Sequence, residues 1–120
     1  MYKVEIEAKF AYASIEKKDN YYLVGFADDE FDYEKYIIFQ KTYQLSKNDD
    51  PNAKINGIYV ECNGDSCFNC CSEVSLDNKK LRLIVQDSEV VINIEKVNLP
   101  ENMMPFLKQI FGDLLQINWK

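Results

Sequence analysis

From Val4 to Tyr12, apolar side chains recur at every second position. Val4, Ile6, Ala8, Phe10 and Tyr12 fall on one side, and Lys3, Glu5, Glu7 and Lys9 on the other. A period of two predicts a strand with one buried and one wet face. Glu16-Lys17-Lys18-Asp19-Asn20 interrupts it as a polar turn, and Tyr21 to Phe26 resumes as a second strand. Tyr36 to Tyr43 is dense in β-branched and aromatic residues and predicts a third. Ser46 to Asn56 is a polar loop marked by Asp49-Asp50-Pro51-Asn52, and Gly57 to Glu61 follows as a strand. Asn63-Gly64-Asp65-Ser66 is a turn, because Asn-Gly accepts positive φ. Cys70 to Leu76 and Leu81 to Gln86 then form a hairpin around Asp77-Asn78-Lys79-Lys80, and Glu89 to Ile94 adds another strand.

Near Pro100 the period changes. Phe106, Leu107, Ile110, Phe111 and Leu114 are spaced to share one helical stripe. Asn102 stands at the N-cap position, Pro105 falls in the first turn where its missing N–H is harmless, and Gly112 stops the helix. Leu115, Ile117 and Trp119 alternate again, returning the tail to the sheet. With no repeat, linker or low-complexity tract, residues 1–120 are expected to form one α+β domain. Its architecture would be a mostly antiparallel β-sheet with one C-terminal helix packed on it.

Composition narrows the chemistry. The chain has 120 residues, a net charge of −6, four cysteines and no histidine. Without histidine there is no Ser–His or Cys–His nucleophilic pair, no imidazole base and no histidine metal ligand. The acidic balance disfavours nucleic acids and anionic membranes as partners. The N-terminus lacks a signal-peptide pattern, and the longest apolar stretch, Tyr21 to Ala27, is far short of the roughly 20 residues a bilayer needs. The expectation is a cytoplasmic, non-catalytic domain without a cofactor.

In the cytosol Cys62, Cys67, Cys70 and Cys71 should stay reduced, so a disulfide framework is not expected. Cys67-x2-Cys70 has zinc-knuckle spacing, and four thiolates could hold zinc in a thiol- or metal-dependent regulatory domain. Against this, all four lie within ten residues, and Cys70 and Cys71 would point to opposite faces of a strand. The plainer reading is reduced thiols, some packed as small hydrophobes. A Cys67–Cys70 redox pair lacks the βαβ context such motifs have.

A second concentration of chemistry is Asp28-Asp29-Glu30-Phe31-Asp32-Tyr33-Glu34-Lys35-Tyr36. Five carboxylates against one lysine give it a local charge of −4 out of −6. Such acids would steer a basic partner while interleaved rings supply rigid contact area. A solvated loop with inward-tucked aromatics is the alternative. Calcium is disfavoured, since the EF-hand glycine and terminal glutamate are missing. The candidate partner-binding residues are Asp28, Asp29, Glu30, Asp32, Tyr33 and Glu34, with Tyr59 and Glu61 from the strand beyond. A small ligand enclosed between the sheet and the Phe106–Phe111 helix is a further possibility.

Several segments in order resemble the immunity protein 10 family: Tyr22-Leu23-Val24-Gly25-Phe26-Ala27-Asp28-Asp29-Glu30, Tyr36-Ile37-Ile38-Phe39-Gln40, and Asn56-Gly57-Ile58-Tyr59-Val60-Glu61. Ser72-Glu73-Val74-Ser75-Leu76, Leu81-Arg82-Leu83 and the helix ending at Ile110-Phe111 continue the match. Each motif is generic strand sequence, and the specificity lies in the ordered set. The chain departs from the family's pattern at Cys67 to Cys71, so nothing about that segment carries over. The resemblance implies a bacterial immunity protein of a polymorphic toxin system, acting in the cytosol. It implies a cognate toxin partner, encoded alongside and basic, with a nuclease as one candidate. The toxin would be neutralised by steric and electrostatic occlusion.

Overall fold

A computed structural model of the chain describes residues 2–42 and 57–118. The predicted loop at Ser46 to Asn56, the end of the third predicted strand at Tyr43, and Trp119 lie outside the described residues. Among the rest, ten strands form two five-stranded sheets, and one α-helix lies between the ninth strand and the tenth.

The first sheet contains β1 (Tyr2–Glu7), β7 (Cys71–Leu76), β8 (Lys80–Val85), β9 (Ser88–Asn93) and β10 (Leu115–Ile117), ordered β1-β9-β8-β7-β10. Its middle is the expected antiparallel meander, while β1 joins β9 and β10 joins β7 in parallel. Asp77 shapes the β7–β8 turn by accepting hydrogen bonds from the Lys79 and Lys80 amides at 2.7 and 2.9 Å. The second sheet is an all-antiparallel meander of β2 (Phe10–Glu16), β3 (Tyr21–Ala27), β4 (Tyr36–Thr42), β5 (Tyr59–Cys62) and β6 (Asp65–Phe68). The α+β class and the mostly antiparallel pairing agree with the sequence pattern. The division into two sheets does not follow from it.

That division begins where the pattern predicts a single strand. The Ala8 amide donates to Asn93 O at 2.9 Å, and the next amide, Lys9, donates to Ala27 O at 2.9 Å. The backbone thus passes from one sheet to the other within two residues. The alternation slips by one position at this handover. Ile6 and Ala8 are fully buried, but in β2 it is Ala11 and Ala13 that meet the core. Phe10 and Tyr12, expected on the buried side with Val4, Ile6 and Ala8, face outward instead, and Tyr12 is 43% exposed. A period of two cannot register such a slip, since two short strands with abutting patterns read as one long strand.

The core lies between the sheets. Ile6, Leu81, Leu83 and Ile92 from the first meet Val24, Ile37, Phe39 and Val60 from the second, all essentially without exposure. Each such side chain contributes about 1.5–3 kcal/mol relative to exposure. Helix α1 (Met103–Phe111) buries Met103, Leu107, Ile110 and Phe111, the predicted stripe moved slightly toward its N-terminus. It packs on the inner face of the second sheet, with Phe111 edge-on to Phe39 at 5.1 Å and Phe106 edge-on to Tyr22 at 5.4 Å. These rings and the buried stripe lie between helix and sheet, the place proposed for an enclosed ligand. Asn102 occupies the N-cap position, yet its side chain makes no cap hydrogen bond. Its Nδ2 donates to Ala13 O at 2.9 Å and ties the helix start to β2. Gly112, at φ 54°, ends the helix as predicted.

The cysteine reading is corrected. Cys67 and Cys70 form a disulfide. The turn between β6 and β7, with Asn69 at φ 60°, reverses the chain and sets their Cα atoms 6.1 Å apart, within bridging range. Expecting reduced thiols from the compartment overlooked this local geometry. A four-thiolate zinc site does not fit, because two sulfurs are bonded to each other and Cys71 is buried in the core. Burial also pushes the Cys71 thiol up to about 11. Among the described residues no helix is long and apolar enough to cross a membrane.

Candidate functional site

The outer faces of the two sheets differ in chemistry. On the first sheet, Arg82 Nε donates to Glu89 Oε2 at 2.5 Å and its Nη1 lies 3.5 Å from Glu73 Oε2, while Lys3 pairs with Glu5 at 3.3 Å. Most charges on that face stand in ion pairs. On the second sheet, the outward positions across β2, β3, β4 and β5 include Phe10, Tyr12, Leu23, Gly25, Tyr36, Ile38, Tyr59 and Glu61, with the polar Ser14 and Gln40 in the row of Leu23 and Tyr59. The helix sits on the opposite face and covers none of them.

Register assembles these residues into a groove of about 290 Å³. Tyr12, Gly25, Ile38 and Glu61 are successive cross-strand neighbours in one row. Gly25 forms the floor. A Cβ there would lie 3.1 Å from Ile38 Cγ2, so a larger residue would push into the cavity. Phe10, Tyr12 and Tyr36 contribute aromatic walls, and Glu30 and Tyr33 reach in from the 28–35 loop. Tyr33 packs edge-on against Tyr36 at 5.3 Å.

Glu61 supplies the charge at the groove's sheet side, opposite Glu30 on the loop. Tyr36 Oη donates to Glu61 Oε2 at 2.5 Å, and Tyr59 Oη donates to Oε1 at 2.9 Å. Hydrogen bonds from Tyr36 and then Tyr59 hold the carboxyl below its ordinary range, because donors stabilise the ionised form. The same bonds raise both tyrosines, whose hydroxyl protons are retained by the carboxylate. Glu61 pairs with no lysine or arginine among the described residues.

The acidic loop divides its carboxylates between two tasks. Asp29 Oδ2 accepts from the Phe31 and Asp32 amides at 2.9 and 2.7 Å, and Asp28 Oδ1 accepts from the Glu34 amide at 2.9 Å. These two acids fold the loop, and the backbone bonds pull the Asp29 carboxyl down. The loop is closed by Asp28 N to Lys35 O at 3.1 Å, and Asn63 Oδ1 anchors its end by accepting from the Tyr36 amide at 2.8 Å. Glu30, Asp32 and Glu34 remain exposed and outside any ion pair among the described residues. Phe31, at the tip, is 84% exposed.

Of the residues singled out from sequence, Glu30, Tyr33 and Glu61 line the groove and Tyr59 buttresses Glu61. Asp32 and Glu34 stand on the loop beside it, while Asp28 and Asp29 support the loop from within. Phe10, Tyr12, Gly25, Tyr36 and Ile38 complete the groove and were not among the candidates. The aromatic content of β2 was the available signal, but the uninterrupted alternation assigned it to the core. Phe31, between two candidate acids, is one of the interleaved rings expected to supply contact area, though it is not itself among the candidate residues.

The family model for immunity protein 10 matches residues 7–97. No curated protein and no solved structure matches the chain.

Proposed function

The chain belongs to the immunity protein 10 family, and from that premise we propose that it binds a cognate toxin domain through the outer face of the second sheet and the 28–35 loop. The observation that carries this reading is the asymmetry of the two outer faces. On one, most charges stand in ion pairs, whereas the other combines aromatic rings with carboxylates that have no ion pair among the described residues. Apolar rings surrounded by charge are the composition of a protein-binding patch.

The toxin is basic and is encoded beside this chain. Acidic residues at the rim accelerate encounter with a positive surface, and the rings anchor the docked complex. A nuclease suits this description, because its substrate groove must be positive to hold phosphates. Inhibition is by occlusion and requires no chemistry from the immunity protein. The groove supports no nucleophile–base pair, as its titratable groups are carboxylates and tyrosines that hydrogen-bond one another.

The test is co-expression with the product of the adjacent open reading frame. Growth rescue together with co-purification is the expected outcome. Persistent toxicity with no complex recovered would overturn the proposal.

A further inference from the structure

We infer that the groove above Gly25 is a receptor for one guanidinium side chain projecting from the partner, with the Glu61 carboxylate as its counter-ion. The inference rests on the toxin-binding reading and specifies the central contact within it. Three observations converge on this occupant. At about 290 Å³ the cavity lies at the lower limit of ordinary ligand pockets, a size for a side chain more than for a free metabolite. Its walls are Phe10, Tyr12, Tyr33 and Tyr36, whose ring faces attract a cation. Its charged groups are the carboxylates of Glu30 and Glu61, and each Glu61 oxygen already holds one tyrosine hydroxyl.

The hydrogen bonding favours a guanidinium over other cations. Each carboxylate oxygen accepts one Tyr bond and keeps a further lone-pair site, so Glu61 can take two parallel N–H donors. Arginine presents two such donors in one plane, and the same plane can stack on a ring. An ammonium offers a point charge and holds its water more tightly. The tyrosine hydroxyls fix the carboxylate's orientation before anything binds, which lowers the ordering cost of docking. An ionised acid with no basic neighbour among the described residues, set among rings, is the element of this face that a cationic anchor would complete.

The probe is Nα-acetyl-arginine methylamide, titrated at low salt into isotope-labelled full-length protein and followed by NMR. The matched control is the citrulline analogue, which has the same shape without the charge. Saturable shifts are expected at Tyr12, Tyr36, Tyr59 and Glu61, with the citrulline analogue about tenfold weaker or more. Glu61→Gln should shrink the difference between the two, leaving only what Glu30 contributes, with resonances of the first sheet in place. Tyr12→Ala should weaken the arginine probe without abolishing its charge preference. No saturable shift at these residues, equal binding of citrulline, or an undiminished preference in Glu61→Gln would each overturn the inference. The experiment contains no toxin. Its failure would leave rescue by co-expression intact, and failure of rescue would leave the arginine titration intact.

Discussion

Asp29 and Glu61 are both carboxylates held ionised by hydrogen bonds, yet they do different work. Asp29 spends one oxygen on two backbone amides and shapes the loop, whereas Glu61 faces a groove with acceptor capacity to spare. The Asp29 carboxyl is depressed in the folded chain, so its contribution to loop order is present above its unfolded value. That contribution is lost as pH falls through the folded value. The Phe31 and Asp32 amide resonances should therefore titrate together with a midpoint below the usual aspartate range. Asp29→Ala should abolish that titration and leave the melting temperature nearly unchanged, since the loop is exposed. Amides that titrate at the ordinary aspartate value would contradict the assigned bonds. The density of acids made this loop conspicuous in the sequence. Which acids fold it and which face outward depends on backbone geometry that charge counting does not contain.

At the level of elements, the sequence was most legible where one short pattern meets one clear stop. The β7–β8 hairpin follows from two apolar runs around Asp77-Asn78-Lys79-Lys80. The β5–β6 turn follows from Asn63-Gly64, both at positive φ, as a two-residue hairpin requires. Strand β6 was not legible, because Asp65-Ser66-Cys67-Phe68 carries little strand propensity and forms by pairing with β5. The β1–β2 boundary was concealed because Lys9 continued the polar phase at the handover, and this concealment hid Phe10 and Tyr12 from the candidate site. The helix start offers a direct check. Were Asn102 a conventional N-cap, Asn102→Asp would be neutral or slightly stabilising. Because Nδ2 donates to Ala13 O, the aspartate would set a carboxylate against a carbonyl. Chemical denaturation should show a loss of about 1 kcal/mol or more. Unchanged stability would restore the capping role.

Across the whole molecule, the net charge of −6 is distributed with a purpose that its total conceals. The first sheet pairs most of its outer charges, and the excess gathers on the loop beside the aromatic face of the second. The helix and the first sheet both pack on the inner side of that second sheet, which leaves its outer face to a partner. The Cys67–Cys70 bridge spans the corner where the chain passes from the second sheet back to the first. The account thus depends on which sheet binds. The most direct test is the affinity of the toxin domain for two charge-reversed variants, measured by calorimetry at low and moderate salt. Reversing Glu30, Asp32 and Glu34 to Lys beside the second sheet should weaken binding about tenfold or more, with the loss smaller at higher salt. Reversing Glu5 and Glu73 on the first sheet should leave affinity within about threefold, as expected for charges outside the interface. Full affinity in the loop variant with a large loss in the first-sheet variant would contradict the account.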